Sequence, residues 1–400
     1  MTASTEPSVE ADQGDGPLGA SWREATLAAQ EAALPSGRVV VSCSAALGTG
    51  GLGRHLREIV AALQRAEQPT VCISGSTRAA APPDSRRVLR ARLAAFGASR
   101  MLARSPLPLT PGVRTRAFMT DFDAYAARRL PAAEHLVAFN GQALTQFAVA
   151  RRAGYRSLAL VSANSHMRQV AAQHAKAHRR YPLEGSWTAH LVKRNLAEYG
   201  RADRIYVASR YVRESFLQEG FSPELLSALP LTPDPRYREE GPRTGSDRFD
   251  IVYVGSLAVH KGVPLLIDAV RRLPQADVRL TLVGGWGTRG MRRFVQSACA
   301  GDRRIVVSPG DPLPHLRAAS LCVHPAYEDG FAYAPAEALA CGVPVLVSED
   351  TGMKDLIDTP RRGLVLPTGD LDVLTEAIEA AYRGEAFAAS RAGVEPSGDG

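Results

Sequence analysis

Short apolar runs alternate with segments of helical spacing along most of the chain from Arg38 onward. Near-continuous apolar runs of this length are typical of strands buried on both faces, and their alternation with helices predicts parallel sheets covered by helices. The predicted strands are residues 38–43, 70–74, 135–139, 157–162, 204–209, 249–255, 278–284, 304–307, 320–324, 343–348 and 363–367. The chain is therefore expected to be an α/β protein built from doubly wound, Rossmann-like sheets.

The alternation is interrupted over residues 229–250, where four prolines and several charges are typical of a linker. A chain of 400 residues also exceeds one ordinary hydrophobic core, so two domains are expected. Since ligands of such sheets bind beyond the carboxyl ends of the strands, the two domains are expected to face each other across a cleft. The predicted parts are a disordered lead-in over 1–36, a first domain over 37–232, a linker over 233–248, a second domain over 249–385 and a polar tail over 386–400.

The chain is basic, with a formal net charge of +7, and part of the excess is concentrated. Residues 85–120 contain eight arginines and no acidic residue. An anionic partner is therefore expected, but aromatic residues are too sparse here for a nucleic-acid-binding surface, so no nucleic acid is expected. Two interpretations of this stretch stay open: a solvated basic face, and a surface that contacts a bound partner or a membrane.

The sequence also bears on the compartment of the protein. No apolar run approaches the roughly 18 to 20 residues that span a bilayer. The first 36 residues lack the basic and apolar regions of a secretion signal. We therefore expect a cytoplasmic protein, with any membrane contact peripheral and at the inner face.

A glycine cluster over residues 48–53, Gly-Thr-Gly-Gly-Leu-Gly, matches the dinucleotide-binding pattern G-x-G-x-x-G. That pattern requires a glycine directly after the strand and an acidic residue about 20 positions later that binds the ribose. Here residues 44–47 intervene, and the next strand ends in Ile-Ser-Gly-Ser over 73–76, without a carboxylate. An NAD-dependent oxidoreductase is therefore not favoured. Glycines at the start of a helix still suit a phosphate, and a purely structural turn remains the alternative.

Three charged residues of the second half follow predicted strands. Lys261 lies where a helix begins. Since a cation at this place opposes the helix dipole, a merely solvated lysine is less favoured there, and a lysine that binds a diphosphate is the preferred interpretation. Asp329 lies in a turn, and Glu337 lies about one turn into an otherwise apolar helix. Because an unpaired buried carboxylate is costly, Glu337 is expected to meet a polar ligand or a cation, and ribose hydroxyls would suit it. The amides between the two carboxylates are placed to bind a phosphate.

These stretches resemble the donor-binding half of retaining glycosyltransferases of family 4, which have the GT-B fold. The resemblance rests on VGSLAVHKG over 254–262 and EDGFAYAPAEALACGVPVL over 328–346, in which Asp329 and Glu337 match the E-x7-E motif of the family. Residues 48–59 and 202–220 are similar to parts of its first domain.

The resemblance implies a metal-independent, retaining enzyme that moves a sugar from a nucleoside-diphosphate sugar to a hydroxyl acceptor, with no cofactor. The acceptor would be a glycan, a lipid-linked sugar or a small-molecule natural product. The first domain would take the acceptor side, the second domain would bind the nucleotide sugar, and residues 85–120 would be a candidate for peripheral membrane contact.

Site residues are also implied by the resemblance. The residues nearest the reaction are His166, Asp329 and Lys261. The donor-binding residues are Gly50, Gly51, Gly53, Ser256, Lys261, Asp329, Gly330, Phe331, Ala332 and Glu337. Arg54 and His55 are placed on the acceptor side, and no metal ligands are expected.

The chain departs from the family pattern at three positions. Ser256 replaces an arginine that shares the diphosphate charge, Asp329 replaces the first glutamate, and Ala332 replaces a glycine of the turn. Arg54, Arg289 and Arg292 are candidates to compensate for the missing arginine. These departures motivate an alternative, a non-catalytic or degenerate GT-B protein that binds nucleotide sugars.

Two other patterns have residue types that occur in metal sites. Asp121-Phe122-Asp123 matches the D-x-D motif of another glycosyltransferase fold, but it lies in a helical pattern and is predicted to be surface charge. His174 and His178 are four residues apart on a predicted helix, as in some zinc sites, but no third ligand has suitable spacing.

Overall fold

The computed structural model describes residues 18–76, 86–87, 111–188, 191–239 and 248–387. The chain divides into two compact units. Unit 1 comprises Met1–Pro233 together with Glu328–Tyr333, and unit 2 comprises Asp234–Tyr327 and Ala334–Gly400. Residues 240–247 of the predicted linker and all but the first two residues of the predicted tail (386–400) lie outside the described residues.

Unit 1 contains a seven-stranded parallel sheet in the order β3-β2-β1-β4-β5-β6-β7. The strands are β1 Val39–Ala46, β2 Thr70–Ser76, β3 Arg86–Arg87, β4 His135–Phe139, β5 Ser157–Ser162, β6 Arg204–Val207 and β7 Leu226–Ala228. The described α-helices are α1 Ala20–Ala33, α2 Gly50–Arg65, α3 Pro111–Ala127, α4 Leu144–Arg152, α5 Met167–Arg180, α6 Val192–Tyr199 and α7 Arg210–Gln218.

The sheet of unit 1 is covered on both faces, as the apolar runs predict. Alternate residues of β1 enter different hydrophobic clusters: Val40 packs in one, whereas Val39 and Val41 pack in the other with Leu56 and Leu63 of α2. This division follows from the two-residue period of a strand, which sends successive side chains to opposite faces.

Unit 2 contains a six-stranded parallel sheet in the order β10-β9-β8-β11-β12-β13. The strands are β8 Phe249–Val254, β9 Val278–Val283, β10 Ile305–Val307, β11 Leu321–His324, β12 Val345–Ser348 and β13 Gly363–Leu366. The described α-helices are α8 Val263–Arg272, α9 Arg289–Gly301, α10 Leu313–Ala318, α11 Tyr333–Ala340 and α12 Leu371–Tyr382.

Every strand predicted from the sequence is present, so the predicted α/β class with two doubly wound sheets is confirmed. The two strands that were not predicted, β3 and β7, have two and three residues and form the edges of the unit 1 sheet. Strands this short are too brief to produce a readable apolar pattern.

The prediction of a disordered lead-in over residues 1–36 is wrong for α1. Contacts distant in sequence hold this helix: the Gln30 side chain donates to the Pro230 carbonyl at 2.8 Å, and the Tyr206 hydroxyl donates to the Ala33 carbonyl at 2.9 Å. These partners come together only in the tertiary structure, so the polar sequence did not reveal the helix. Residues 1–17 lie outside the described residues.

Two observations concern the membrane. Of the arginine-rich stretch 85–120, the structure describes residues 86–87 and 111–120, and the rest lies outside the described residues. In the part of the chain that the structure describes, no helix combines the length and apolar character needed to cross a bilayer.

Candidate functional site

The strand order of each sheet reverses at one point, between β1 and β4 in unit 1 and between β8 and β11 in unit 2. At such a point the connections leave the sheet toward opposite faces, and the crevice beyond the carboxyl ends of the two strands is where ligands of these folds bind. The glycine cluster follows β1, Lys261 follows β8, and Asp329 follows β11. The candidate residues therefore lie at the switch points of the two sheets.

The glycine cluster forms the start of α2, and its glycines differ in surroundings. A Cβ on Gly53 would lie 2.0 Å from the Ala46 carbonyl oxygen, so this glycine allows α2 to pack against the end of β1. A Cβ on Gly50 or Gly51 would meet no described atom within 4 Å. Gly50 and Gly51 thus leave space at a helix N-terminus, which is the environment that a phosphate requires.

Of the two residues predicted on the acceptor side, Arg54 places its guanidinium 4.2 Å from the ring centre of Tyr333, within unit 1. His55 is 4% exposed and packs edge-on against Phe139. Burial lowers the pKa of His55 to about 3, so its ring is neutral at physiological pH. The role of His55 toward an acceptor stays a prediction, and the structure places its ring in the interior.

His166 is the N-cap residue of α5 and is also buried, with 1% exposure. Its ring packs against Tyr199, Phe216 and Phe221, with ring centres 5.1 to 5.5 Å apart. The ring nitrogen Nδ1 accepts the Arg168 amide at 3.4 Å, and burial lowers the pKa of the imidazole. A catalytic role for His166 remains a prediction, and the ring occupies an aromatic cage.

The loops after β8 and β11 are bound to each other inside unit 2. Gly262, next to Lys261, has a left-handed φ of +72°, and a Cβ there would lie 1.9 Å from the Pro325 carbonyl oxygen. The Tyr327 amide donates to the His260 carbonyl at 2.8 Å. This backbone contact brings half-buried Lys261 beside the chain that leads to the two predicted carboxylates.

Ser256 is exposed at the end of β8. The next residue, Leu257, pairs with Trp286, whose ring centre lies 5.9 Å from the Arg292 guanidinium. Arg292 and Arg289 are both exposed in the first turns of α9. The structure therefore puts these two candidate substitutes for the missing arginine at the start of the helix that follows the loop paired with Leu257, next to Ser256.

Residues Glu328–Tyr333, called the 328–333 segment below, belong to unit 1 by their contacts. The buried Glu328 carboxylate accepts hydrogen bonds from the Asn164 side chain and the Ser165 amide, both at 2.9 Å. The Ser209 hydroxyl donates to the Gly330 carbonyl at 2.7 Å. Gly330 must be a glycine, because a Cβ would lie 2.3 Å from the Ala163 carbonyl oxygen.

The turn inside this segment is strained. Ala332 has a φ of +65°, a left-handed conformation that glycine adopts freely and that costs an alanine about 1 kcal/mol. The Asp329 carboxylate accepts the Ala332 amide at 3.1 Å, and the Phe331 ring packs edge-on against Tyr333. One of the amides predicted to bind a diphosphate is therefore already bonded within the turn, and a donor must compete with Asp329 for it.

Glu337 lies on α11 and is 1% exposed, although its helix is otherwise almost entirely apolar. Burial, together with the nearby Glu337 carboxylate, raises the pKa of the Cys322 thiol on β11. Glu337, the second carboxylate of the predicted motif, therefore lies against the sheet of unit 2.

The predicted surface position of the D-x-D pattern is wrong for Asp123. This residue is fully buried, pairs with Arg194, and accepts the amides of Thr145 and Gln146 at the start of α4. It is a helix cap and an ion-pair partner, because a helix start has amides that need acceptors.

Glu198, which is buried on α6, was not predicted from the sequence. Its carboxylate accepts the amides of Gly141 and Ala143 in the loop after β4 and pairs with Arg194. The available signal was a glutamate four residues after an arginine, a spacing that also occurs on the solvated surfaces of helices.

His174 and His178 stack on each other, and the His178 ring bonds the His174 carbonyl. Among the described residues, no group of three or more histidine, cysteine, aspartate or glutamate side chains is arranged to hold a metal ion.

Comparison with known proteins finds a family match in the second half of the chain. Residues 248–383 match the family Glycosyl transferases group 1. A D-inositol 3-phosphate glycosyltransferase of Pseudarthrobacter chlorophenolicus is 30% identical over 156 residues, which are 36% of this chain and 36% of the relative. A GDP-mannose-dependent alpha-(1-6)-phosphatidylinositol monomannoside mannosyltransferase of Mycolicibacterium smegmatis is 29% identical over 44% of this chain and 52% of its own length. The matched region thus spans between about a third and a half of these curated relatives.

Solved structures match across both units. Sucrose-phosphate synthase from Thermosynechococcus elongatus has a TM-score of 0.65 at 20% identity, covering 88% of this chain and 91% of that protein. WaaG, a glycosyltransferase involved in lipopolysaccharide biosynthesis, has a TM-score of 0.60 at 17% identity, covering 87% and 92%. Anabaena HepE in complex with UDP-glucose has a TM-score of 0.56 at 16% identity, covering 88% and 91%. The chain therefore has the two-domain Rossmann-like GT-B fold, and residues 248–383 match the Glycosyl transferases group 1 family.

Proposed function

We propose that this protein is a glycosyltransferase that moves a sugar from a nucleoside-diphosphate sugar to a hydroxyl group of an acceptor. The observation that carries this proposal is the Glycosyl transferases group 1 match over residues 248–383, which contains Lys261, Asp329 and Glu337. Within the domain, Lys261 and Glu337 lie on connections that leave the two strands of the switch point.

The proposed donor class is supported by relatives and neighbours with different bases. HepE is solved with UDP-glucose, and the Mycolicibacterium smegmatis relative is named as GDP-mannose-dependent. Both donors share a sugar diphosphate and a ribose, which are the groups that Lys261 and Glu337 suit. The proposal therefore specifies a nucleoside-diphosphate sugar and leaves the base to experiment.

The reaction that fits these residues needs no metal ion. As the bond between the sugar C1 and the diphosphate oxygen breaks, negative charge develops on the leaving diphosphate, and Lys261 with the amides at the start of α11 stabilises it. We assign Glu337 to the ribose hydroxyls and Asp329 to the hydroxyls of the donor sugar.

Retention of configuration follows if the acceptor oxygen attacks C1 on the face that the diphosphate leaves. The new C1–O bond then forms beside the departing oxygen, and the acceptor proton passes to that oxygen. No side chain needs to act as a strong base in this scheme, which agrees with the burial of His166, since burial lowers the pKa of its imidazole.

The test is a donor panel. UDP, GDP and ADP sugars are assayed for hydrolysis and for transfer to polyol, glycan and lipid-linked acceptors, with and without EDTA, and nucleotide binding is followed by calorimetry. Lys261→Ala and Glu337→Gln should weaken binding of the accepted nucleotide at least about tenfold, since each removes a charged contact. Lys354→Ala and Glu376→Gln are the matched controls, because Lys354 is the other lysine of unit 2 and Glu376 is exposed on α12.

The outcomes separate the alternatives. Turnover with at least one donor supports the enzyme, and turnover that survives EDTA supports its metal independence. Nucleotide binding without turnover would instead support the non-catalytic alternative. If no nucleotide binds, or if Glu337→Gln binds as well as the parent protein, the proposed site is wrong.

A further inference from the structure

The 328–333 segment contains four of the predicted donor-binding residues, and other residues of unit 1 hold it at several points. Glu328 is bound by Asn164 and Ser165, and Gly330 is bound by Ser209. These contacts fix the first part of the segment. The strained residue, Ala332, lies closer to the other end.

That other end is held by Tyr333, whose hydroxyl donates to Oε1 of Glu58 at 2.7 Å. Glu58 is itself fixed through Oε2, which accepts the Gln30 side chain at 3.0 Å and the Thr232 amide at 2.9 Å. Because partners from separate parts of unit 1 hold the Glu58 carboxylate, it cannot easily follow a movement of Tyr333. The bond therefore restrains Tyr333.

The same helix provides a second restraint on Tyr333. Arg54 and Glu58 are four residues apart on α2, so both lie on one face of that helix. Arg54 stacks on the Tyr333 ring while Glu58 bonds its hydroxyl. Helix α2, which begins in the glycine cluster, thus contacts Tyr333, the residue directly after the strained turn, at both its ring and its hydroxyl.

We propose that Glu58 and Tyr333 are positioning residues that hold the turn 329–332 in the left-handed conformation that receives the donor. This inference rests on the proposed function. A left-handed alanine persists only where the surrounding structure over-determines it, and the Tyr333–Glu58 hydrogen bond supplies that restraint on one side while Ser209 and Asp329 supply it on the other.

The experiment measures the Michaelis constants for donor and acceptor separately. Tyr333→Phe removes the hydroxyl and keeps the ring over which Arg54 stacks, so the turn loses one restraint. We expect the donor KM to rise about tenfold and the acceptor KM to stay within a factor of two, because a hydrogen bond to a carboxylate is lost next to the donor contacts alone. Glu58→Gln should act in the same direction.

A double-mutant cycle tests whether the bond acts through the strained turn. Glycine adopts the conformation of residue 332 without strain, so Ala332→Gly lowers the need for the restraint. Tyr333→Phe should therefore raise the donor KM less in the Ala332→Gly background than in the parent protein, and the two changes should be non-additive. Strict additivity would show that Tyr333 does not act through residue 332.

The matched control is Tyr382→Phe, which removes a tyrosine-to-carboxylate hydrogen bond of the same kind: the Tyr382 hydroxyl donates to Asp277 at 3.0 Å on unit 2. This variant should leave both Michaelis constants unchanged. If Tyr333→Phe lowers the melting temperature and the active fraction while both constants stay at parent values, its role is only structural and the inference is wrong. Failure of the parent protein to bind or turn over any donor overturns the proposed function instead, and is recognised before any variant is made.

Discussion

The carbonyl oxygen of Pro325 occupies the space that a side chain at residue 262 would need, since a Cβ on Gly262 would lie 1.9 Å from it. The two residues belong to the loops after β8 and β11, the strands that flank the switch point of unit 2. Because Gly262 directly follows Lys261, this close approach also fixes the backbone position from which the lysine side chain extends. A glycine is thus a structural requirement of the proposed diphosphate site.

Gly262→Ala should destabilise the protein and weaken nucleotide binding together. The new Cβ must displace backbone and adopt a left-handed φ, so we expect a loss of about 2 kcal/mol or more in the free energy of unfolding. Gly384→Ala is the control, because its φ is similarly left-handed at +75° but a Cβ would meet no described atom within 4 Å. That change should cost only about 1 kcal/mol and leave binding intact. Equal losses in the two variants, measured by chemical denaturation, would contradict this account.

Replacing Ser256 by arginine should improve donor use. Ser256 is exposed, so the longer side chain needs no repacking, and a guanidinium binds phosphate oxygens in a bidentate manner. We expect kcat/KM for the accepted donor to rise about three- to tenfold, with Ser256→Gln as the uncharged control of similar length. A rise in Ser256→Gln of the same size would mean that the added charge is irrelevant. A fall in Ser256→Arg would favour the view that Arg289 or Arg292 already takes this role.

Asp123 and Asp121 should differ strongly in their effect on stability. Asp123→Ala leaves Arg194 without one partner in a buried place and removes the cap of α4, so we expect a loss of about 3 to 5 kcal/mol in the free energy of unfolding. Asp121→Ala, at the partly exposed position of the same pattern, should cost less than about 1 kcal/mol. If Asp123→Ala were as stable as the parent protein but required added Mn²⁺ for turnover, the structural role would be wrong, and Asp123 would instead be a metal ligand.

Glu198 should make stability depend on pH in an unusual direction. Burial raises its pKa to about 7, against the opposing effects of the Ala143 amide and the Arg194 charge. The folded state therefore holds a proton that the unfolded state releases above about pH 4.5, so this contribution is complete below that pH and is lost as the pH rises through about 7. Relative to Glu198→Gln, the parent protein should lose on the order of 3 kcal/mol between pH 4.5 and pH 7.5. The difference between the two unfolding free energies, followed against pH, isolates Glu198; a constant difference would contradict the prediction.

The candidate site residues were predicted as positions along the chain. Lys261, Asp329 and Glu337 were recognised because each follows a predicted strand, and parallel sheets bring the ends of neighbouring strands to one edge. The glycine cluster was recognised for the same reason. What could not be predicted was the surroundings of each side chain, which include an Ala332 amide already bonded by Asp329 and a His166 ring enclosed by aromatic residues.

The sequence alone determined the fold class and the order of the strands along the chain and predicted the positions of the candidate site residues, because apolar periodicity and glycine turns are local properties of the chain. Only the tertiary structure decided which polar residues are partners. Asp123, Glu198 and Glu58 accept hydrogen bonds from amides and side chains that lie 22 to 275 positions away in the sequence. Such a partner is set by which distant loop the fold brings to a buried carboxylate, and no local pattern contains that information. The position of α1 and the contacts of α2 with Tyr333 likewise depend on residues that are distant in the sequence.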